Sequence, residues 1–289
     1  MPNDRAIPAA LAAQRDAAEV LFAQLRNDGL DEPGTTRDPY GPGEQRAHAT
    51  VATFADSIGL HVARDAAANL YMTLPGRDRT APPLILGSHL DSVPHGGNFD
   101  GAAGVVAGLA AVRALQHLGI TPSCDLTVMA IRAEESIWFQ LSYIGSRAAL
   151  GTLPDSALNA TRIDTGRTLA EHIAECGGNP DTLRRGECYL DPARIRAYLE
   201  LHIEQAPSLV EAGVPIAICT AIPGNFRYPA GSKAATITSA CPSSFATTRQ
   251  WPARSSRWPW TASGTSMKRA GSPWPARSAA SIPTRPTTD

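Results

Sequence analysis

The chain has 289 residues, of which 43% are hydrophobic, and its 26 basic and 27 acidic side chains give a formal net charge of -1. This length and apolar content suffice for a buried core, and they exclude a disordered chain, a collagen-like repeat and a strongly charged nucleic-acid binder. This near-neutral net charge is the sum of two segments with opposite net charges. Residues 1–229 carry 18 basic and 26 acidic groups, a net -8, whereas residues 230–289 carry eight basic groups and one acid, a net +7.

The cysteines and the N-terminal segment indicate the cellular compartment. Five dispersed cysteines without a C-x-x-C pair argue against a disulfide framework and favour a reducing environment. Acidic and polar residues interrupt the N-terminal segment, which therefore lacks the apolar core of a signal peptide. No run approaches the roughly 20 apolar residues of a membrane span. We therefore expect a cytoplasmic protein.

Helical and strand patterns alternate along the chain up to about residue 220. Apolar spacing and flanking Gly, Pro and Asn residues predict the boundaries of these elements. In chain order they are helix 9–25, loop 31–43, helix 47–58, strands 60–63, 69–73 and 83–88, helix 101–118, strand 126–131, helix 142–150, and strands 198–203 and 214–220. This alternation predicts an α/β fold with a mainly parallel central sheet flanked by helices.

The first polar cluster follows the apolar strand 83–88. In α/β sheets, ligands bind outside the carboxyl ends of the strands. His89 and Asp91 are two residues apart and share a face if the strand continues. A carboxylate beside an imidazole fixes its tautomer and raises its basicity, which supports a metal-bound histidine. Asp100 follows a Gly-Gly loop and heads a helix of small residues; a surface loop with an Asp N-cap is the alternative interpretation.

Two further clusters follow later strands. Glu134 and Glu135 come directly after an apolar strand, and their side chains diverge, so that one can bind a metal while its neighbour acts as a general base. The alternative is a solvated acidic turn. The alternating pattern of the third cluster directs Glu200, His202 and Glu204 to one side, although a single strand histidine is more often structural.

Taken together, the clusters favour a metal site over the separate alternatives. Histidine and carboxylate ligands without a thiolate are what a hydrolytic Zn²⁺ or Mn²⁺ site requires. A carboxylate such as Asp100 can bridge two metal ions about 3.5–4 Å apart. The water between them would be acidified, and Glu134 would take its proton.

The ordered motifs resemble the dinuclear zinc amidohydrolases that include N-carbamoyl-L-amino-acid hydrolase, β-ureidopropionase and allantoate amidohydrolase. This group lies in the aminoacylase and carboxypeptidase G-like metallopeptidase superfamily. The resemblance extends over about residues 10–228. It depends on the motifs at residues 87–101, 104–105, 133–135, 144–147 and 200–205.

The resemblance implies a role for each candidate residue and two divalent metal ions, Zn²⁺ or Mn²⁺. The roles are His89 on one ion, Asp100 bridging both, Glu135 and His202 on the second ion, Glu134 as general base, Asp91 behind His89, and Gln205 as a substrate contact. The implied reaction is hydrolysis of a linear amide C–N bond in an N-carbamoyl-L-amino acid or a ureido acid such as allantoate. The implied partner is a small-molecule substrate, with a homodimer for the full-length form and neither nucleic acid nor membrane.

The chain also departs from this group. Ser136-Ile137-Trp138-Phe139 follows the paired glutamates where the group commonly has Gly-Ser-Arg-Phe, which leaves the exact substrate open. Family members contain a lid and dimerisation domain, and then a further catalytic segment that supplies the last metal-ligand histidine. All seven histidines of this chain lie at or before His202. We therefore interpret residues 1–220 as the N-terminal part of the catalytic domain, 221–229 as the start of the lid, and 230–289 as a disordered tail.

The basic tail has two interpretations. Its Arg and Trp residues are the ingredients of a nucleic-acid-binding arm. Out-of-frame translation after an insertion or deletion near residues 229–231 accounts better for the absence of Glu and His and for the abundance of Pro, Arg and Trp. On that interpretation the chain is truncated, and the alternative function is a catalytically inactive fragment of such an enzyme. It would lack the last metal-ligand histidine and the substrate-binding residues of the lid.

Overall fold

The computed structural model describes residues 6–221, which form a central sheet with helices on both faces. The helices of these residues are α1 (Ala6–Ala12), α2 (Arg15–Asp28), α3 (Pro42–Ser57), α4 (Ala102–His117), α5 (Ile144–Ala149), α6 (Leu169–Glu175), α7 (Pro180–Arg184) and α8 (Ser208–Ala212). The strands are β1 (Leu30–Asp31), β2 (Gly34–Thr35), β3 (His61–Arg64), β4 (Leu70–Leu74), β5 (Leu84–His89), β6 (Leu126–Ile131) and β7 (Ala197–Leu199). Single 3₁₀ turns lie at Asp155–Asn159 and Pro192–Arg194.

The central sheet has the strand order β3-β4-β6-β5-β7. β5 pairs in parallel with both β6 and β7, whereas β4 pairs antiparallel with β3 and β6. The α/β fold with a mainly parallel central sheet is confirmed: β3, β5, β6 and β7 run in one direction, and within this sheet β4 runs against them. The connection between β3 and β4 is short and can join only antiparallel neighbours, because a parallel pair needs a long crossover.

The apolar faces of β6 explain why helices cover both sides of the sheet. All six residues of β6 are buried, as expected for a strand without a solvent-facing side. Leu126, Val128 and Ala130 pack into the larger core with α2, α3 and α4. Met129 and Ile131 alternate to the other face, where they pack with Ala149 of α5 and partly buried side chains from the segment before β7.

Glycine lets α4 approach the sheet closely near the ends of the strands. A Cβ atom at Gly104 would lie 2.7 Å from the Cβ of Ser88 and 2.4 Å from the carbonyl oxygen of Leu201. At Gly101, where φ is +63°, a Cβ would lie 2.5 Å from the carbonyl oxygen of His89. The small residues at the start of α4 therefore bring its N-terminus, and Asp100 before it, against the end of β5.

The structure differs from the predicted elements mainly at the two ends of the described chain. Helix 9–25 is divided into α1 and α2, and the predicted strand 198–203 ends at Leu199. The predicted strand 214–220 is not formed: Ile216 is 69% and Ile218 90% exposed, and within residues 6–221 no strand pairs with this segment. An extended apolar segment forms a stable strand only with a neighbour to complete its hydrogen bonds.

The expected start of the lid at residues 221–229 and the expected tail at 230–289 lie outside the described residues, apart from Ala221. The domain boundaries proposed at these positions therefore stay predictions. Among the described residues, Cys124, Cys176 and Cys188 form no disulfide. The helices between residues 6 and 221 are all too short or too polar to cross a lipid bilayer.

Candidate metal centre

The candidate residues meet at one edge of the sheet because three parallel strands end there. His89 is the last residue of β5 and lies level with Ile131, the last residue of β6. Glu134 and Glu135 follow β6, and His202 follows β7, the other parallel neighbour of β5. The structure therefore places the three sequence clusters where the rule for α/β sheets predicts them.

Three of these side chains converge on one point. The Nε2 atom of His202 lies 3.2 Å from Oδ1 of Asp100 and 3.4 Å from Nε2 of His89, and His89 Nε2 lies 3.7 Å from the same carboxylate oxygen. One ligand atom from each residue lies within 4.8 Å of the other two. We call these residues the three-residue group.

The three-residue group has the donors that a divalent metal ion requires. Oδ1 of Asp100 is buried and makes no hydrogen bond with a described residue, although two imidazole nitrogens face it. A buried oxygen without a partner is costly unless something compensates it. Two imidazole nitrogens and one carboxylate oxygen suit Zn²⁺ or Mn²⁺, so the residues present fit such an ion.

Asp91 orients both His89 and the turn after β6. Its Oδ1 lies 3.3 Å from Nδ1 of His89, so the opposite ring nitrogen, Nε2, faces Asp100. The same buried carboxylate accepts the backbone N–H of Glu134 at 3.0 Å and that of Glu135 at 2.9 Å. Asp91 therefore lies behind His89, as the resemblance implies, and it also positions the paired glutamates.

The paired glutamates hold their protons more tightly than free glutamates do. Burial raises the pKa of Glu134. Burial, together with the neighbouring charge of Glu134, raises the pKa of Glu135 to about 7. A carboxyl group that exchanges its proton near neutral pH is suited to general acid–base chemistry.

Close contacts with the carboxylate of Asp100 alter the pKa values of the two histidines. Burial alone would raise the pKa of Asp100, but contacts with His202 and His89 lower it well below its usual value. The contact with Asp100 raises the pKa of His202. For His89 the lowering effect of burial is outweighed by Asp100 and Asp91, so its pKa is raised well above 6.5. Without a metal ion, the histidines and Asp100 therefore form a charge-assisted cluster.

The structure places His202 with His89 and Asp100. The pairing of Glu135 and His202 on one ion, which the resemblance implies, stays a prediction. Glu135 is not in the three-residue group. The reason is the strand order, since β7 and β5 are neighbours whereas β6 lies on the other side of β5. The predicted substrate contact Gln205 donates a hydrogen bond from Nε2 to Oδ2 of Asp100 at 2.7 Å.

A buried ion pair that the sequence analysis missed holds the turn before the paired glutamates. Arg132 and Glu44 are both fully buried, with Nη1 and Oε2 2.9 Å apart. The other carboxylate oxygen, Oε1 of Glu44, accepts the backbone N–H of Ala133 at 2.9 Å, where φ is +51°. This pair fixes the strained backbone that aims Glu134 at the site. The only sequence signal is an arginine that directly continues a buried strand.

Asn69 is a second residue that the sequence analysis missed. Its Oδ1 accepts the backbone N–H of Arg132 at 2.9 Å, and its Nδ2 donates to the carbonyl oxygen of Gly145 at 2.9 Å and to Asp65 at 2.8 Å. The side chain therefore joins the end of β6 to the start of α5. No local pattern marks this role, because Arg132 and Gly145 lie 63 and 76 residues away in the chain.

Comparisons with known proteins show which proteins this chain is similar to. A model of peptidase family M28 matches residues 69–165. An N-carbamoyl-L-amino acid amidohydrolase from Geobacillus stearothermophilus is 41% identical over 191 residues, which are 66% of this chain and 46% of that protein. The allantoate amidohydrolase of Bacillus subtilis (strain 168) is 30% identical over 195 residues, 68% of this chain and 46% of that protein. The chain is a homologue of these amidohydrolases.

Solved structures support the same homology. The crystal structure of a hydantoinase/carbamoylase family amidase from Burkholderia ambifaria matches with a TM-score of 0.61 and 34% identity. The match covers 68% of this chain and 47% of that one. This amidohydrolase homologue therefore spans about half the length of the relatives that it matches. The resemblance found in the sequence is confirmed, and so is the α/β fold.

Proposed function

We propose that this edge of the sheet is the site of a metal-dependent amidohydrolase. The reaction is hydrolysis of a linear amide C–N bond in an N-carbamoyl-L-amino acid or a ureido acid such as allantoate. The observation that carries the proposal is the buried Oδ1 of Asp100, which has no hydrogen-bond partner among the described residues and faces two imidazole nitrogens. The homology to N-carbamoyl-L-amino acid and allantoate amidohydrolases supports the substrate class.

The three-residue group would hold one divalent ion, with Zn²⁺ favoured and Mn²⁺ as the second choice. Glu135 would contribute a carboxylate to a second ion. When bound, such ions lower the pKa of water and polarise the carbonyl group under attack. Asp91 would keep His89 oriented through Nδ1, since the partner of the non-ligating nitrogen sets the tautomer.

Glu134 would carry the proton between the two halves of the reaction. Its carboxylate would take a proton from water as the oxygen attacks the carbonyl carbon. The same group would deliver this proton to the nitrogen as the C–N bond breaks, so no covalent intermediate with the protein is needed. The backbone N–H of Glu134 is bound by Asp91 and its side chain lies near both histidines, which supports this role. Gln205 would contact the substrate once the carboxylate of Asp100 binds metal ions in place of the Gln205 amide.

The expected assembly and partners remain part of the proposal. We infer a small-molecule substrate, because the relatives carry the names of enzymes that act on carbamoyl amino acids and allantoate. A homodimer is proposed for the full-length form alone. The alternative proposal, a catalytically inactive fragment, is favoured by one observation: a single group of three mutually close ligands is found among residues 6–221, and Glu135 is outside it.

Metal titration together with a turnover assay tests these proposals. The 289-residue chain is stripped with EDTA, titrated calorimetrically with Zn²⁺ and Mn²⁺, and assayed for ammonia release from N-carbamoyl-L-amino acids and allantoate. Two equivalents with turnover support the hydrolase, whereas at most one equivalent without turnover supports the fragment and refutes hydrolysis by this chain. His89→Ala should abolish binding, whereas His117→Ala, at an exposed position on the last turn of α4, serves as the matched control.

A separate variant tests the role of the general base. Glu134→Gln removes the proton acceptor but keeps the size of the side chain and its backbone hydrogen bond to Asp91. In an active preparation we expect unchanged metal stoichiometry and a loss of ammonia release of at least about 100-fold. Ammonia release at the unmodified rate would refute Glu134 as the base.

A further inference from the structure

A buried arginine links both ends of the loop that carries the candidate ligands. Arg37 follows β2 and its side chain is fully buried. Its Nε donates to the carbonyl oxygen of Leu90, and its Nη2 donates to the carbonyl oxygens of Asn98 and Asp100 at 3.3 and 3.2 Å. Leu90 lies next to His89. A single guanidinium therefore holds the backbone beside two members of the three-residue group.

The position of Arg37 is itself fixed by the surrounding backbone. Its N–H donates to Oγ of Ser92 at 3.0 Å, and the N–H of Ser92 donates to the carbonyl oxygen of Arg37 at 2.9 Å. Nη1 of Arg37 donates to Oδ1 of Asn98 at 3.2 Å, and Nδ2 of Asn98 donates to the carbonyl oxygen of Phe22 in α2 at 2.9 Å. Arg37 is therefore held by the 89–100 loop through Ser92 and by α2 through Asn98.

The surroundings of the buried positive charge of Arg37 are also unusual. The ion pairs found among residues 6–221 do not include it, so carbonyl and amide oxygens alone satisfy its donors. Burial lowers the pKa of Arg37, while the nearby carboxylates of Asp91 and Asp100 raise it. A buried cation without a direct carboxylate partner is costly. Because these two carboxylates belong to the candidate metal centre, the free-energy cost of burying the Arg37 charge is linked to that site.

We propose that Arg37 is a positioning residue for the candidate metal centre. By hydrogen-bonding the carbonyl groups of Leu90, Asn98 and Asp100, it sets the separation of His89 from Asp100 and so sets the affinity for a divalent ion. Arginine suits this role because it presents five donors in a fixed fork, whereas lysine presents three donors from one nitrogen. The inference rests on the proposed function, since it concerns the same metal site.

The test uses Co²⁺ alone as the probe, because its visible absorption spectrum reports the geometry of its ligands. The EDTA-stripped chain, Arg37→Lys and Arg162→Lys are titrated with Co²⁺, and the unfolding midpoint of each is measured in urea. Arg162 is the matched control: it is equally buried and bonded to Asp38, Pro39 and Asp164, but not to the 89–100 loop. For Arg37→Lys we expect a Kd for Co²⁺ 10–100-fold weaker and an altered spectrum.

The outcomes separate this inference from the proposed function. Unmodified chain that binds no Co²⁺ refutes the metal site, and the role of Arg37 with it. Binding by Arg37→Lys with the unmodified Kd and spectrum refutes only the role of Arg37, as does an equal loss in Arg162→Lys. If Arg37→Lys does not fold, Asn98→Ala removes one guanidinium hydrogen bond and keeps the charge. A weaker Kd for Asn98→Ala supports the proposal, and an unchanged Kd refutes it.

Discussion

Oδ1 of Asp91 accepts the backbone N–H of Glu134 at 3.0 Å, while the same oxygen lies 3.3 Å from Nδ1 of His89. The carboxylate that orients the proposed metal-ligand histidine therefore also positions the proposed general base. Because both contacts come from one buried side chain, a change at Asp91 should alter the metal site and the turn after β6 together.

Asp91→Ala tests this double role. It leaves the N–H groups of Glu134 and Glu135 unpaired, which we expect to lower the free energy of unfolding by about 1–3 kcal/mol for each buried group. The variant also removes the carboxylate 3.3 Å from Nδ1 of His89 but keeps the carbonyl oxygen of residue 91, which lies 3.0 Å from the same nitrogen, so we expect Zn²⁺ binding to weaken by about 10-fold. Urea unfolding and calorimetric titration measure the two effects. Asp125→Ala is the control, since Asp125 binds the backbone N–H of Gly76 at the opposite end of β6. Unmodified Zn²⁺ affinity in Asp91→Ala would contradict the prediction.

The grouping of the ligands gives a second prediction. Because His202 lies with His89 and Asp100, His202→Ala should remove the first equivalent of metal, and Glu135→Gln should leave it in place with a Kd within about threefold. Calorimetric titration with Zn²⁺ gives the stoichiometry and Kd of each variant. Loss of the same equivalent in both Glu135→Gln and His202→Ala would contradict this prediction and support the pairing of Glu135 with His202.

The pH dependence of stability without metal gives a third prediction. The pKa values of His89, His202, Glu134 and Glu135 are all raised, so these four groups bind more protons in the folded chain than in the unfolded chain above about pH 4.5. The lowered pKa values of His48 and His172, caused by burial, act in the opposite direction, and the four raised groups outweigh them in this prediction. Their stabilisation is present below the unfolded pKa values and is lost as the pH rises through the folded values. In EDTA we therefore expect the free energy of unfolding to fall by about 1–3 kcal/mol between pH 5 and pH 8.

Urea unfolding at several pH values measures this slope. The lowered pKa of Asp100 acts in the opposite direction, but its contribution is lost only in acid, below the usual aspartate value, and so lies outside this range. Glu135→Gln should flatten the slope between pH 5 and pH 7, because Glu135 titrates at about 7. Excess Zn²⁺ should reverse the slope, since ligands must lose their protons to bind metal. A stability in EDTA that rises with pH would refute the prediction.

The close approach of α4 to the sheet gives a fourth prediction. Gly104→Ala places a Cβ 2.4 Å from the carbonyl oxygen of Leu201, so the backbone next to His202 must move. We expect a loss of about 1–3 kcal/mol in the free energy of unfolding and weaker metal binding. At Gly97 no described heavy atom lies within 4 Å of the Cβ position, and Gly97→Ala is the control. Equal stability and Zn²⁺ affinity in the two variants would contradict this account.

The elements that the sequence predicts best are those whose signal is local. Residues 126–131 are predicted at the observed bounds of β6, because a run of apolar residues that includes one threonine, Thr127, lies between Asp125 and Arg132. The segment 214–220 carries a similar apolar pattern but forms no strand, since pairing depends on a neighbour and not on the pattern alone. The boundaries of α1 and α2 also differ from those of the predicted helix 9–25, because packing rather than periodicity decides where a helix is interrupted.

By itself, the sequence determined the chemical types at the site and their positions directly after strands, including the order of His89, Asp100, Glu134, Glu135 and His202. Hydrophobic periodicity and residue type are local properties, and both can be read along the chain. Only the tertiary structure decided that the ring of His202 lies close to that of His89 and that Arg37 hydrogen-bonds to both ends of the 89–100 loop. These contacts join residues 53 to 113 positions apart. Strand order and helix packing, which sequence spacing does not encode, set such distances.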